Sequence, residues 1–323
     1  MKVRLRRQHI PGPTQGLCPS CGRALPAWGG VCLCGWAIPP EPRDEPADVD
    51  ELARREGIFR LAHLSDLHIG AHGPTGISAQ DRLYMILEAC ESLGVDHVLV
   101  TGDLTRVGLP EEMHAAEATL NAGGFPVARR TVIPGNHDLQ ESGDLSVYEA
   151  SFPERLPSVE EVAPGVWLAA VDSNAVARRD RSLVFERFIA PVQGLVGDDS
   201  LDFVRRGLAG KEGVRILALH HHLARHAPED LSSRWDVALG SRMGRVLLDP
   251  VLDAAAVLEV AREVGVDVIL HGHKHWYGQT GYQVGGVPVF NAGSTTLMAR
   301  PTFRLFDFED RRWVAIFEAQ LIL

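Results

Sequence analysis

Five short apolar runs in this chain each end in residues that bind metals or carry protons. That repetition constrains the fold more than any compositional total does. Leu61-Ala-His-Leu-Ser-Asp-Leu-His68 contains Asp66 and His68, and His97-Val-Leu-Val-Thr-Gly-Asp103 ends on Asp103. Thr131-Val-Ile-Pro134 leads into Gly135-Asn136-His137-Asp138. Val214-Arg-Ile-Leu-Ala-Leu-His220 continues into His221 and His222, and Val266-Asp-Val-Ile-Leu-His271 continues into Gly272-His273-Lys274-His275. Apolar runs of this length read as buried strands, and ligands gather where such strands end. Gly-Asn-His-Asp alone would read equally well as a surface turn. Five clusters in the same structural position imply one shared site.

The residue types suit a pair of cations. Two divalent metals about 3.5–4 Å apart need carboxylate, imidazole and carbonyl donors, with one anionic oxygen able to bridge. Asp66 and His68 stand two apart and would share a face of a strand, as would His273 and His275. Asp103, isolated after Gly102, suits a carboxylate approached from two sides. Asn136 and His220 would complete a second metal.

Around these clusters the chain alternates strand and helix, which predicts an α/β domain. Ser78-Ala-Gln-Asp81 reads as a capping box opening a helix, with Leu83, Ile86, Leu87, Cys90 and Leu93 at helical spacing and Gly94 ending it. Further helices are expected from Pro110 to about Ala122, over Leu201–Leu208 and over Leu252–Val264. Gly165–Asp172 reads as a strand, and Phe303–Phe308 with Trp313–Phe317 as a hairpin. The irregular stretch 223–248 reads either as a loop bordering the site or as an ordinary surface excursion.

The first 38 residues differ. They hold Cys18, Cys21, Cys32 and Cys34 in two knuckles, a spacing that can close a tetrahedral structural zinc site; two disulfides are the alternative, disfavoured in a reducing compartment. The module resembles a zinc ribbon, although one residue rather than two separates its second pair of cysteines. The expected layout is a zinc-ribbon-like module over 1–38, an acidic proline-rich linker over 39–54 and the main domain over 55–323. The basic start of the chain has no apolar core behind it, and no apolar run reaches about 18 residues, so neither a secretory signal nor a membrane span is expected and the compartment reads as cytoplasmic. A net charge of −10 argues against a broad duplex-DNA footprint, while leaving room for a local phosphate site.

In this order, Asp-x-His, Gly-Asp, Gly-Asn-His-Asp, His-His and Gly-His-x-His resemble the calcineurin-like metallophosphoesterase family over roughly residues 58–295. The resemblance implies a β-sandwich flanked by helices (α/β/β/α) with a dinuclear site at strand ends. It assigns one metal to Asp66, His68, Asp103 and His275, and the other to Asp103, Asn136, His220 and His273. The ions would be manganese, iron or zinc. Water bridging such a pair is acidified enough to attack phosphorus as hydroxide. His137 would stabilise charge or protonate the leaving group, with Asp138 orienting its ring. His221 matches the family's usual second histidine, and His222 stands where many relatives have proline.

The arrangement is similar to the class III cyclic-nucleotide phosphodiesterase branch, which implies a small phosphodiester substrate. One alternative is an SbcD-like DNA nuclease, with Lys2, Arg4, Arg6, Arg7 and Arg23 attracting nucleic acid; only 48 residues follow His275, little for a further DNA-binding domain. Another is a phosphoesterase subunit docked to a protein partner through the cysteine module. The remaining histidines read more simply. His63, His97, His114 and His226 are expected to be structural or superficial and His271 to pack; for His72, in a glycine-rich loop four residues past His68, reach to substrate is the lesser of the two readings.

Overall fold

The strand–helix alternation becomes two sheets with helices on their outer faces. The structure is a computed structural model and describes residues 2–8, 45–47, 56–73, 76–139, 144–175, 194–223, 251–275 and 281–322. Cys18, Cys21, Cys32, Cys34, Arg23, His226 and residues 224–248 lie outside the described residues. The chain runs β1 (Lys2–Gln8), β2 (Glu45–Ala47), β3 (Phe59–Leu64), α1 (Ala79–Ser92), β4 (His97–Thr101), α2 (Pro110–Ala122), β5 (Arg130–Ile133) and α3 (Ser146–Ser151). It continues through β6 (Ser158–Ala163), β7 (Val166–Ala170), α4 (Asp198–Leu208), β8 (Val214–Ala218) and α5 (Ala254–Glu263). The last elements are β9 (Val268–His271), β10 (Gly281–Val284), β11 (Val287–Asn291), β12 (Thr302–Glu309) and β13 (Arg312–Ile322).

One sheet has the order β2-β1-β13-β12-β3-β4-β5, the other β10-β11-β9-β8-β7-β6. The central strands are apolar at nearly every position because both of their faces are covered. Side chains alternate between layers. Leu61, Leu99, Ile216, Leu270, Phe290 and Phe306 fill the space between the sheets. Leu64, Val98 and Val100 turn outward against Leu83 and Ile86 of α1 and Met113 of α2. Leu217 and Ile269 do the same in the second sheet, against Val204 of α4 and Val257 of α5. The expected α/β/β/α sandwich is the observed one.

Local signals account for several boundaries. The Ser78 hydroxyl accepts the Asp81 amide at 3.0 Å and donates to the Asp81 carboxylate at 2.6 Å, closing the start of α1. The β12–β13 hairpin turns through Asp310 and Arg311, both in the left-handed region at φ 47° and 61°, which a two-residue turn of this hand requires. Arg60 of β3 grips Asp307 of β12 through two hydrogen bonds of 2.7 and 2.8 Å, buried, where the two residues face each other in the register.

Strand β1 pairs antiparallel with β13 from Lys2↔Ile322 to Gln8↔Ile316, and β2 pairs with β1. Residues 2–8 and 45–47 therefore extend the large sheet, while the cysteine knuckles and the rest of the expected linker lie outside the described residues. Strand β6, Ser-Val-Glu-Glu-Val-Ala, was not anticipated. It is an edge strand with Glu160 and Glu161 exposed, and so lacks the apolar run that marks the central strands.

His63 and His97 are structural, as expected. His97 is 5% exposed, its Nε2 lies 2.9 Å from Thr131 Oγ1, and burial, with Arg129 nearby, holds its imidazole down to about 4. Unfolded, the ring titrates near 6.5, so between about 4 and 6.5 the unfolded chain binds the extra proton. Stability is therefore lost as pH falls from 6.5 toward 4, by roughly 2–3 kcal/mol at about 1.4 kcal/mol per unit. His97→Gln should remove that part of the acid sensitivity, read as denaturation midpoints between pH 7 and 4.5. Parallel curves for the two proteins would refute this account.

Candidate metal centre

Within each sheet the central strands run parallel, β3, β4 and β5 in one and β8 and β9 in the other. The five clusters follow their carboxyl ends, and the two sets of ends meet. The Thr101 carbonyl, at the end of β4, accepts a hydrogen bond from His220 Nδ1 at 2.7 Å across the sheets. An oxygen can only accept here, so His220 carries its proton on Nδ1 and presents the Nε2 lone pair inward.

That lone pair faces other acceptors. His220 Nε2 lies 3.1 Å from Asn136 Oδ1 and 3.4 Å from Asp103 Oδ1. His273 Nδ1 lies 2.9 Å from the same Asn136 oxygen and 3.3 Å from His220 Nε2. Beside this nest is another. Ligand atoms of Asp66, His68, Asp103 and His275 all fall within 4.8 Å of one another. His68 Nε2 is 2.9 Å from His275 Nε2 and 3.7 Å from Asp103 Oδ2, and His275 Nε2 is 3.2 Å from Asp66 Oδ1. Asp103 thus shows one oxygen to each nest. Converging lone pairs repel unless something positive lies among them, and this mixture of oxygen and nitrogen donors fits divalent cations.

Protonation agrees with that fit at His68 and His273, whereas at His275 burial is outweighed by contact with Asp66, which pulls the imidazole up. Burial holds His68 down to about 4, and burial with its imidazole neighbours holds His273 well below the usual range, so both rings keep lone pairs at neutral pH. Burial alone would raise Asp66 and Asp103. Contact with His275 outweighs it for Asp66, and the surrounding imidazoles, His220 first and then His137, outweigh it for Asp103, so both carboxyls fall below their ordinary values.

The backbone is strained at this site. Asp66, His68, Asp103 and His273 all adopt left-handed conformations, at φ 52°, 45°, 52° and 72°. Each costs on the order of 1–2 kcal/mol for a residue with a Cβ. Glycine permits the closest approach: a Cβ on Gly135 would overlap the amide and carboxylate of Asp103. A segment that sequence reasoning missed holds the strained loops. Ser294 Oγ donates to the Asp66 carbonyl at 2.8 Å, the Thr295 amide to the Ser65 carbonyl at 3.0 Å, and the Ser294 amide to the His275 carbonyl at 2.9 Å. The small polar run Asn291-Ala-Gly-Ser-Thr-Thr296 directly after a strand was the available signal.

His137 stands at the exposed edge of the nest formed by Asp66, His68, Asp103 and His275, its ring 4.8 Å from that of His68 and perpendicular to it. The expectation that Asp138 orients this ring is corrected, because His137 Nδ1 lies 2.8 Å from the Arg106 carbonyl instead. Asp138 is buried and accepts the amides of Gly135, Leu104 and Thr105 and the Thr105 hydroxyl, at 2.8–3.1 Å. It ties the loop after β4 to the loop after β5. Burial and then Asp103 push its carboxyl up to about 6, against the pull of the three amides. Asp138→Asn would turn an amino group on donors it cannot satisfy, at about 2–4 kcal/mol of stability measured by denaturant unfolding. A loss under about 0.5 kcal/mol would contradict the clamp.

The other histidines sort simply. Ser173 Oγ holds His221 Nδ1 at 2.8 Å, and the His222 ring stacks on His273 with centroids 5.6 Å apart. His271 packs with Nδ1 against the Gly272 carbonyl, while His72 and His114 are exposed.

A two-sheet sandwich with these donors at one end defines a metal-dependent phosphoric ester hydrolase. The calcineurin-like phosphoesterase profile matches residues 59–277, and the chain belongs to that family. A Psychrobacter arcticus protein named "probable cyclic nucleotide phosphodiesterase" is 24% identical over 287 residues, 81% of this chain and 90% of that one. A protein of the same name from Vesicomyosocius okutanii is 26% identical over 241 residues, 74% of this chain and 87% of its own. In fold, the chain is similar to a dimetal phosphatase from Danio rerio, at a TM-score of 0.57 and 12% identity, covering 80% of this chain and 96% of that one. No helix among the described residues is long and apolar enough to cross a membrane.

Proposed function

We propose that this metallophosphoesterase hydrolyses a small phosphodiester, with a cyclic nucleotide as the first candidate. The observation that carries the reading is Asp103, whose two oxygens face two separate donor nests. Asp66, His68, Asp103 and His275 would hold one cation, and Asp103, Asn136, His220 and His273 the other. Manganese, iron and zinc all suit this set of donors. Such a pair, when bound, polarises the phosphoryl group and acidifies water for attack.

The chain's own residues set the rest. His220 is fixed by the Thr101 carbonyl so that Nε2 points into its nest. His137 keeps one proton on Nδ1, held by the Arg106 carbonyl, and in its imidazolium form carries a second on Nε2, which it would give to the departing ester oxygen, becoming neutral. The substrate class draws support from the names of the two bacterial relatives, each aligned over most of its length.

The test compares a 3′,5′-cyclic nucleotide, linear single-stranded DNA and a phosphomonoester with manganese-loaded protein. Turnover led by the cyclic nucleotide is expected. Preference for DNA would redirect the reading to the nuclease branch, and inactivity on all three would refute it.

A further inference from the structure

His137 is held through one peptide unit, and the opposite end of that unit is gripped by a residue outside every motif. The Arg106 carbonyl accepts His137 Nδ1 at 2.8 Å. The Val107 amide, the other half of the same planar unit, donates to Glu112 Oε2 at 3.0 Å. In a trans peptide the C=O and N–H point in opposite directions and cannot turn independently. Rotating the plane to release one bond breaks the other. We propose that Glu112 is a positioning residue that aims His137 across this peptide plane.

The surroundings fit that role. Glu112 is 7% exposed and sits in the first turn of α2, where the positive end of the helix favours a carboxylate. It also accepts the Arg106 amide at 3.1 Å, a donor shared with the Ile69 carbonyl at 3.0 Å. Val107 N–H has Glu112 as its acceptor, so the carboxylate is the specific hold on this plane. Preceding it, Thr105 is tied to Asp138, which fixes the near side of the same loop. With Nδ1 donating to a carbonyl, Nε2 makes no hydrogen bond among the described residues and is the atom presented to substrate.

The inference rests on the role given to His137 above, and its test separates the two. Glu112→Ala, Glu112→Asp (one methylene short of Val107) and Glu112→Gln (still an acceptor) are compared with His137→Ala and the double variants, all manganese-loaded and full-length. Rates are taken on a diester with a nitrophenolate leaving group and on one with an alkoxide leaving group. Glu112→Ala should lower kcat about 10–100-fold on the alkoxide ester and far less on the nitrophenyl ester. KM and bound metal should stay unchanged, and Glu112→Gln should recover most of the loss. In the His137→Ala background, removing Glu112 should add nothing.

The His137 Nδ1–H proton resonance, assigned by its loss in His137→Ala, should exchange faster in Glu112→Ala and Glu112→Asp. Multiplying losses in the double variant, or an unchanged resonance, would overturn the inference. A changed resonance with no kinetic effect of His137→Ala would instead overturn the His137 role and leave Glu112 as its positioner. If Glu112→Ala does not fold, Glu112→Asp carries the same cycle.

Discussion

Asp103→Ala is expected to reduce phosphodiester hydrolysis by at least about a thousandfold and to leave the protein unable to hold a metal pair. Among the described residues Asp103 is the one carboxylate whose oxygens face both nests, at 3.7 Å from His68 and 3.4 Å from His220. Without it the four imidazoles and Asn136 keep their places but share no anion. Two cations brought close together would then repel with nothing between them to offset the charge. The same oxygen that faces His220 also accepts the His137 amide at 2.8 Å, so the loop carrying His137 loosens as well. The electrostatic contribution removed belongs to the class that usually dominates such reactions. Metal content after dialysis and rates on a generic phosphodiester are the measurements, with thermal unfolding to show that the variant folds. An active Asp103→Ala protein holding two metals would remove the proposed site.

His137→Ala should behave differently. Turnover falls by about 10²–10⁴-fold, the usual worth of a positioned proton donor, while bound metal is retained. The ring touches the Asp66–His68–Asp103–His275 nest only edgewise, through His68, and its Nδ1 is committed to Arg106. Deleting it removes no proposed ligand. The loss should grow with the basicity of the leaving oxygen, since a poor leaving group needs the proton most. Equal losses on nitrophenyl and alkyl esters would assign His137 to charge stabilisation alone. Loss of metal would move it into the ligand set.

Much of this centre was legible because each motif is local. Asp66 and His68, Gly102 and Asp103, Asn136 and His137, and His273 and His275 lie within a few residues of an apolar run, and strand ends project such residues together. Asp138 shows where that reasoning stopped. Adjacent to His137 in sequence, it was expected to hold the ring, yet it faces the amides of Leu104, Thr105 and Gly135. A neighbour in sequence is not a neighbour across a tight turn. Glu112, Ser294 and Thr295 act from outside the five motif segments; the small polar run after β11 was a signal for the last two, while Glu112 reads in sequence as an ordinary first-turn carboxylate of α2.

The order of apolar runs and polar ends, by itself, determined the α/β/β/α sandwich and pointed to the five segments that supply the proposed site. It did so because burial on both faces demands continuous apolar strands, and strand ends are where polar groups can face a cleft. Only the tertiary structure decided that β1 joins the large sheet beside β13, that Asp103 turns one oxygen to each nest, and that Arg106 rather than Asp138 holds His137. Those are pairings between distant backbone and side-chain groups, set by how two twisted sheets meet, and no local spacing encodes them.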